Sequence, residues 1–191
     1  AKGTVNTTAG TFPVLNAIMK LENGYYKNSE FPSALDKMSL DAEMKNGSAN
    51  LSETTLSVKQ FHTEIDGAPL DATMDVKDFN DPQYNLTLNG TLDLAKLAKI
   101  YPIEGTTMAG AIKANLSTSG RVSAVEKGDY MALPTTGSLT ATNVVYKSTD
   151  LPQGITISQS LVTFSPQRLD ITSFAGKLGA SPVSITGYVS N

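Results

Sequence analysis

Apolar and polar residues alternate along much of this chain. From Leu40 to Lys45 an apolar side chain stands at every second position with a charged or polar one between, and the same holds from Leu70 to Val76. Shorter stretches repeat the alternation at Leu86 and Leu88, at Ile112, Ala114 and Leu116, at Ile155 and Ile157, and at Val183, Ile185 and Val189. A period of two predicts β-strands that have one apolar and one polar face. It favours antiparallel pairing, because strands of parallel sheets tend to be apolar on both faces.

Turn-forming residues separate many of these stretches. Groups that contain Gly, Pro, Asn or Asp stand at 22–24, 45–48, 66–69, 80–82, 89–90 and 165–167. These residues favour turns because Gly and Asn tolerate positive φ angles, and Pro fixes φ and removes a backbone donor. We therefore expect an all-β fold: a curved, groove-like antiparallel β-sheet built as a meander of hairpins, with an internal repeat and one short α-helix.

The predicted helix runs from Asp93 to Ile100. Asp93 can cap its first turn, Leu94, Leu97, Ala98 and Tyr101 share one face, and Pro102 ends it. Its shortness suggests that it covers an end or edge of the sheet. Residues 123–136 have no periodicity and are predicted to form a loop.

Two parts of the chain repeat each other. Tyr26–Pro32 aligns with Tyr146–Pro152 at a separation of 120 residues. Further on, Phe61, Ile65, Pro69, Leu70 and Val76 align with Phe174, Leu178, Pro182, Val183 and Val189 at a separation of 113. We interpret residues 24–79 and 144–191 as two copies of one β unit within a single β domain, 1–191, because hairpin turns absorb small differences in length.

Composition limits the possible functions. Apolar residues make up 40% of the 191 residues and charged residues 17%, so the chain is expected to fold. A net charge of -3 without any block of basic residues argues against a nucleic-acid partner. The absence of cysteine excludes disulfides and thiolate chemistry. The first residues lack an apolar targeting segment and already resemble a strand, so we expect this chain to be a segment of a longer protein.

Candidate chemical groups are few. His62 is the only histidine, so a catalytic triad or a histidine-containing metal site depends on it alone, and we interpret it as a polar residue on a strand near Phe61. Asp71, Asp75, Asp78 and Asp81 lack the spacing of a calcium loop and are read as a solvated strand face running into a turn. Residues 176–177, Gly-Lys, lack the upstream glycine of a phosphate-binding loop and are read as a turn. We expect a non-catalytic protein without metal or other cofactor.

Several segments resemble one known family. They are residues 169–189, LDITSFAGKLGASPVSITGYV; residues 90–97, GTLDLAKL, followed by Pro102; and residues 146–152, YKSTDLP. Together they resemble the C-terminal region of AsmA-like proteins. The resemblance implies a Gram-negative envelope protein, anchored to the inner membrane by an N-terminal helix outside this chain. It also implies a long periplasmic β-sheet with an apolar groove, and a part in outer-membrane biogenesis and phospholipid transport between the two membranes.

We therefore expect a lipid or lipid-like ligand on the apolar side of the sheet, together with the remainder of a longer chain as partner. The residues expected to line this groove are Leu70, Met74, Leu86, Leu88, Ile112, Leu116, Ile185 and Val189, the inward positions of the longer strands. Two other functions stay open. One is a structural or assembly spacer, and the other is a carbohydrate-binding module built on Tyr25, Tyr26, Tyr101 and Tyr146, although the chain has no tryptophan for stacking.

Overall fold

The computed structural model describes residues 14–27, 34–65, 67–100, 103–128 and 133–190. Most of this part of the chain is β-strand, and the helices are short. The strands are β1 (Leu15–Tyr26), β2 (Leu35–Asn46), β3 (Thr55–Ile65), β4 (Ala68–Lys77), β5 (Gln83–Asp93), β6 (Thr107–Arg121), β7 (Thr135–Lys147), β8 (Ile155–Ser165), β9 (Arg168–Leu178) and β10 (Ser181–Ser190). The helices are α1 (Leu94–Ile100), α2 (Val122–Glu126) and a 3₁₀ turn at Leu51–Glu53. The predicted all-β class is confirmed.

All ten strands belong to one antiparallel sheet, in which their spatial order is their order along the chain. Every stretch that alternated in the sequence lies in a strand, and the predicted meander is confirmed. Strands β1 and β10 do not pair with each other, so the sheet is open and these two strands form its edges.

Two predicted turns are wrong, since both lie inside strands. Residues 22–24 belong to β1, where Leu21 pairs with Leu40 and Gly24 with Met38, so that β1 carries one extra residue. Asn23 adopts a left-handed conformation, with φ 52°, within this β-bulge. Gly90 lies within β5, and a Cβ there would be 2.6 Å from the backbone oxygen of Pro69. Asn-Gly pairs thus mark a bulge and a close backbone approach here.

Further bulges interrupt the register between β2 and β3, β3 and β4, β6 and β7, β8 and β9, and β9 and β10. By contrast, β4, β5 and β6 pair without irregularity. Bulges bend a strand and increase its twist, so they favour curvature of the sheet at these positions. Gly176 and Lys177 lie within β9, so the interpretation of these residues as a turn is wrong.

The helix predicted after β5 is present as α1, and Asp93 caps it. The backbone N–H groups of Ala95 and Lys96 donate to Asp93 Oδ1 at 3.0 and 3.1 Å. Tyr101 and Pro102, which were expected to complete and end the helix, lie outside the described residues. The predicted loop 123–136 is wrong at both ends, because its first residues belong to α2 and its last two begin β7. The described part of the chain therefore has a second short α-helix besides the predicted one. A helix of five residues is too short to show a period of 3.6 in the sequence.

Few side chains are buried, because the sheet forms a single layer. Among the described residues, the buried apolar side chains are Ala42, Ile65, Leu94, Ala114, Ala141 and Val144. Leu94, Ala141 and Val144 form one cluster beneath α1, against which Leu97, Met108, Ile112 and Ile157 pack. The core therefore lies between this helix and one side of the sheet.

Where the structure describes them, the residues of the sequence repeat lie at corresponding points of two four-strand units, β1–β4 and β7–β10. Residues 28–32 of the first copy lie outside the described residues. Tyr26 ends β1, and Tyr146 is the next-to-last residue of β7. Phe61 pairs with Ala72 and Glu64 with Pro69, while Phe174 pairs with Ile185 and Lys177 with Pro182. The separation between the copies falls from 120 to 113 residues mainly at the connection between the second and third strands of each unit. This connection comprises residues 47–54 in the first copy and only the two-residue turn 166–167 in the second.

Candidate functional site

One face of the sheet carries a row of apolar residues across all ten strands, interrupted as a row of side chains only at Gly137 in β7. Directly paired residues of an antiparallel sheet point to the same face, so the register shows which side chains stand side by side. The row, from β1 to β10, is Leu21, Leu40, Phe61, Ala72, Leu88, Leu116, Gly137, Phe164, Leu169 and Val189. We call the side of the sheet that bears this row the apolar face.

All eight residues predicted to line a groove lie on the apolar face. Leu88, Leu116 and Val189 belong to the row itself, and Met74 pairs with Leu86 one row away. Leu70 stands two residues before Ala72 of the row. Ile112 and Ile185 lie at the two ends of another row of directly paired residues, which continues from Ile112 through Ala141, Ser160 and Phe174 to Ile185. Six of the eight form a block on β4, β5 and β6, whereas Ile185 and Val189 lie on β10, with three strands between.

Sequence reasoning missed Leu21, Phe164 and Leu169 as members of this face. Leu21 precedes the bulge of β1, whose residues resembled a turn. In β9 the bulge changes the alternation, so that Leu169, Ile171 and Phe174 share the face although their numbers do not keep a period of two. The apparent break in the pattern hid them.

The opposite face is polar. Paired residues across β4 to β9 form a row of carboxylate, amide and hydroxyl groups, namely Asp71, Asn89, Asn115, Ser138, Thr163 and Asp170. The neighbouring row consists of Thr73, Thr87, Ser117 and Thr136. From β4 to β9 the sheet is thus amphipathic, with its polar side chains concentrated on the side opposite the apolar row.

Much of the apolar face is uncovered. Leu70, Met74, Leu86, Leu88 and Leu116 are half-buried, while Ile185 and Val189 are 43% and 53% exposed. Single sheets need a second layer or a ligand to cover an apolar side. Helix α1 covers one part of this face, through the cluster that Leu94 forms with Ala141 and Val144.

Two connections narrow the apolar face at opposite rims. Helix α1 follows β5 and packs at one rim, where Ile112 contacts its cluster. Ile112 therefore belongs to a covered part of the face. At the other rim the Leu133 side chain fills the space that a Cβ at Gly120 would take. Between these rims runs the row that contains Leu88 and Leu116.

A cavity of about 260 Å³ opens beside Leu133 at this second rim, and its other lining residues are Thr135, Phe164, Ser165, Pro166, Arg168 and Leu169. Its volume lies just below the range of about 300–1,000 Å³ typical of small-molecule sites. A molecule with long alkyl chains would extend from this cavity onto the open apolar face.

His62 lies on the polar face, where its Nδ1 is 2.7 Å from Asp71 Oδ1. Neighbouring strands place Ser39 and Asp71 beside it. Among the described residues no group of three or more His, Cys, Asp or Glu side chains is arranged to hold a metal ion. The structure places His62 in a pair with a carboxylate, on the side away from the predicted groove.

The four aspartates fall into two pairs. Asp71 and Asp75 are exposed on the polar face of β4. Asp81 in the β4–β5 turn accepts hydrogen bonds from the backbone and the hydroxyl of Ser123, at 3.2 and 3.1 Å, and from Arg121 at 3.3 Å. Loss of solvent raises the pKa of the Asp81 carboxyl, but these hydrogen bonds outweigh that effect and hold the pKa below its usual value. The turn is thereby fastened to the start of α2.

The tyrosines proposed as a sugar platform do not come together. Tyr25 and Tyr26 end β1, whereas Tyr146 lies on β7, with five strands between. Tyr101 lies outside the described residues.

In the part of the chain that the structure describes, no helix has the length and apolar character needed to cross a membrane. Comparison of the chain with protein-family models, with curated proteins and with solved structures finds no match.

Proposed function

We propose that this chain is a non-catalytic, periplasmic β-groove segment of an AsmA-like protein that binds phospholipid or passes it between membranes during outer-membrane biogenesis. The observation that carries this proposal is the apolar row that crosses all ten strands with so little to cover it. The proposal includes a longer chain with an inner-membrane anchor, for which the resemblance to AsmA-like proteins is the support.

The dimensions of the apolar face suit an alkyl chain. Ten strands at about 4.8 Å spacing span roughly 43 Å, which is longer than the hydrocarbon core of a bilayer is thick, about 30 Å. Each methylene group removed from water contributes about 0.8 kcal/mol, so ten of them would contribute up to roughly 8 kcal/mol before the cost of ordering the ligand. No polar recognition motif is needed for such binding.

One pair of polar side chains on the apolar face is satisfied within the protein. Thr118 and Thr135 pair across β6 and β7, and their hydroxyl oxygens lie 2.9 Å apart. The Thr135 hydroxyl also donates to the backbone oxygen of Leu133, at 3.0 Å. An apolar ligand over this pair would leave neither hydroxyl without a hydrogen-bond partner.

A binding experiment with matched variants tests the proposal. Leu88 and Leu116 pair directly at the centre of the apolar row, and Thr87 and Ser117 pair directly beside them on the polar face. The double variant Leu88→Asp/Leu116→Asp should lose binding of a fluorescent phospholipid, because two carboxylates would have to be desolvated under the alkyl chain. Thr87→Asp/Ser117→Asp carries the same charge on the same strands and should bind as the parent does.

The spacer function predicts a different outcome. If the parent binds no phospholipid and the leucine variant unfolds, the row is a closed core and the chain is a structural segment. Far-UV circular dichroism of each variant separates loss of binding from loss of fold. Equal weakening by both double variants would point to a general effect of charge and would also contradict the proposal.

A further inference from the structure

The two edge strands of the sheet differ in how they are protected against pairing. An edge strand exposes backbone N–H and C=O groups that another strand can use, and proteins commonly block it with charges, prolines or bulges. Strand β1 has the charged residues Lys20 and Glu22 and the bulge between Leu21 and Gly24. Lys20 is also held by Asp41 of β2, at 3.5 Å. The outer side of β1 is therefore a poor template for a further strand.

Strand β10 has little such protection. Ser181–Ser190 contains no charged residue, and its one proline, Pro182, stands near the start. Ile185 pairs with Phe174 and Gly187 with Ile171, so the extra residue of this bulge belongs to β9 and not to the edge strand. Among the described residues no strand pairs with the outer side of β10. A regular, uncharged edge thus runs from residue 183 to residue 190.

We propose that β10 pairs antiparallel with β10 of a second copy of this chain, so that two sheets join across a two-fold axis. Such an interface is self-complementary, since each strand donates to its partner the same backbone hydrogen bonds that it accepts from it. An axis normal to the sheet keeps the same face of both copies on one side. With the axis near Thr186, Val183 of one copy stands beside Val189 of the other, and the apolar face continues across the joint.

Charge and shape favour this partner over β1 of the second copy. Pairing β10 with β1 would place Lys20 and Glu22 against a strand that has no charge to meet them. It would also require a straight strand to follow the bulge of β1. A head-to-tail contact of that kind would not close and would build filaments, whereas the β10 pair closes at two copies.

The oligomeric state of the 191-residue protein tests the inference. One chain has a mass of 20.2 kDa, and size-exclusion chromatography with light scattering should give about twice that mass. Thr186→Lys places a charge near the middle of β10, where two copies would bring like charges together, and should give a monomer. Thr163→Lys, on the polar face of the interior strand β8, and Ile18→Lys, on the edge strand β1, should both stay dimeric. A monomeric parent, or a dimer lost in Ile18→Lys and kept in Thr186→Lys, would overturn the inference.

Spin labels give an independent readout. The chain has no cysteine, so a single introduced cysteine carries the only label. Labels at Thr186→Cys should lie close together in the dimer, and labels at Ile18→Cys should be much farther apart, since β1 is the opposite edge of each sheet. A long distance at position 186 in a dimeric sample would contradict β10 pairing. None of these measurements involves lipid, so they leave the proposed function to its own test.

Discussion

Truncating one leucine of α1 and one on the open face should show whether the apolar face is a closed core. Leu94 is buried and packs with Ala141 and Val144, so Leu94→Ala leaves a cavity as well as losing apolar contact. Such truncations cost about 2–5 kcal/mol, and about 3 kcal/mol is expected in this small cluster. Leu88 is half-buried and its paired neighbours are Ala72 and Leu116. Since water already reaches part of its side chain, Leu88→Ala should cost only about 1 kcal/mol.

Urea unfolding followed by far-UV circular dichroism measures both losses in the free energy of unfolding. The two variants should keep the spectrum and the denaturant dependence of the parent, so that their midpoints can be compared directly. A loss for Leu88→Ala equal to that for Leu94→Ala would refute the reasoning, because it would mean that Leu88 is as well covered as the residues under the helix.

Two further changes test how the rims are held. Asp93→Ala removes the acceptor of two backbone N–H groups at the start of α1 and should lower the free energy of unfolding by about 1 kcal/mol. Asp93→Asn keeps an acceptor and should cost much less, so equal losses in urea unfolding would contradict the capping role. Asp81 has a folded-state pKa below its ordinary value of 3.8, so its stabilising effect should be present above that pH and be lost as the pH falls towards the lowered value. Asp81→Asn should therefore weaken the fall of the free energy of unfolding with decreasing pH on the acid side. The same pH dependence in the variant and the parent would show that the hydrogen bonds to Ser123 and Arg121 do not stabilise the folded state.

Alternation in the sequence was sufficient to predict the strand class and the apolar face, because a period of two assigns each side chain to one side of a sheet. Leu70, Met74, Leu86 and Leu88 were found in this way, and their strands β4 and β5 pair without a bulge. The meander followed from turn residues at most of the strand ends. Both predictions used only local rules, and the regular centre of the sheet obeys them.

Bulges explain most of what could not be predicted. Asn23 and Gly90 stand inside strands, yet Asn-Gly pairs are also the commonest hairpin residues, so the sequence alone cannot separate the two uses. In β9 the added residue moves Phe174 onto the same face as Ile171 and hides the period. The start of helix α2 is held by contacts of the preceding Arg121 and of its own Ser123 with Asp81, about forty positions earlier in the chain. Such distant contacts leave no local pattern.

The most direct test of the proposed lipid function is mass spectrometry of the molecules that co-purify with the folded 191-residue protein. We expect phospholipid in the parent, in an amount comparable to the protein. We expect far less in Leu88→Asp/Leu116→Asp, and the parent amount in Thr87→Asp/Ser117→Asp, whose changes lie on the polar face of the same strands. A folded parent that carries no phospholipid after expression in a Gram-negative envelope, or equal lipid in all three proteins, would contradict the account.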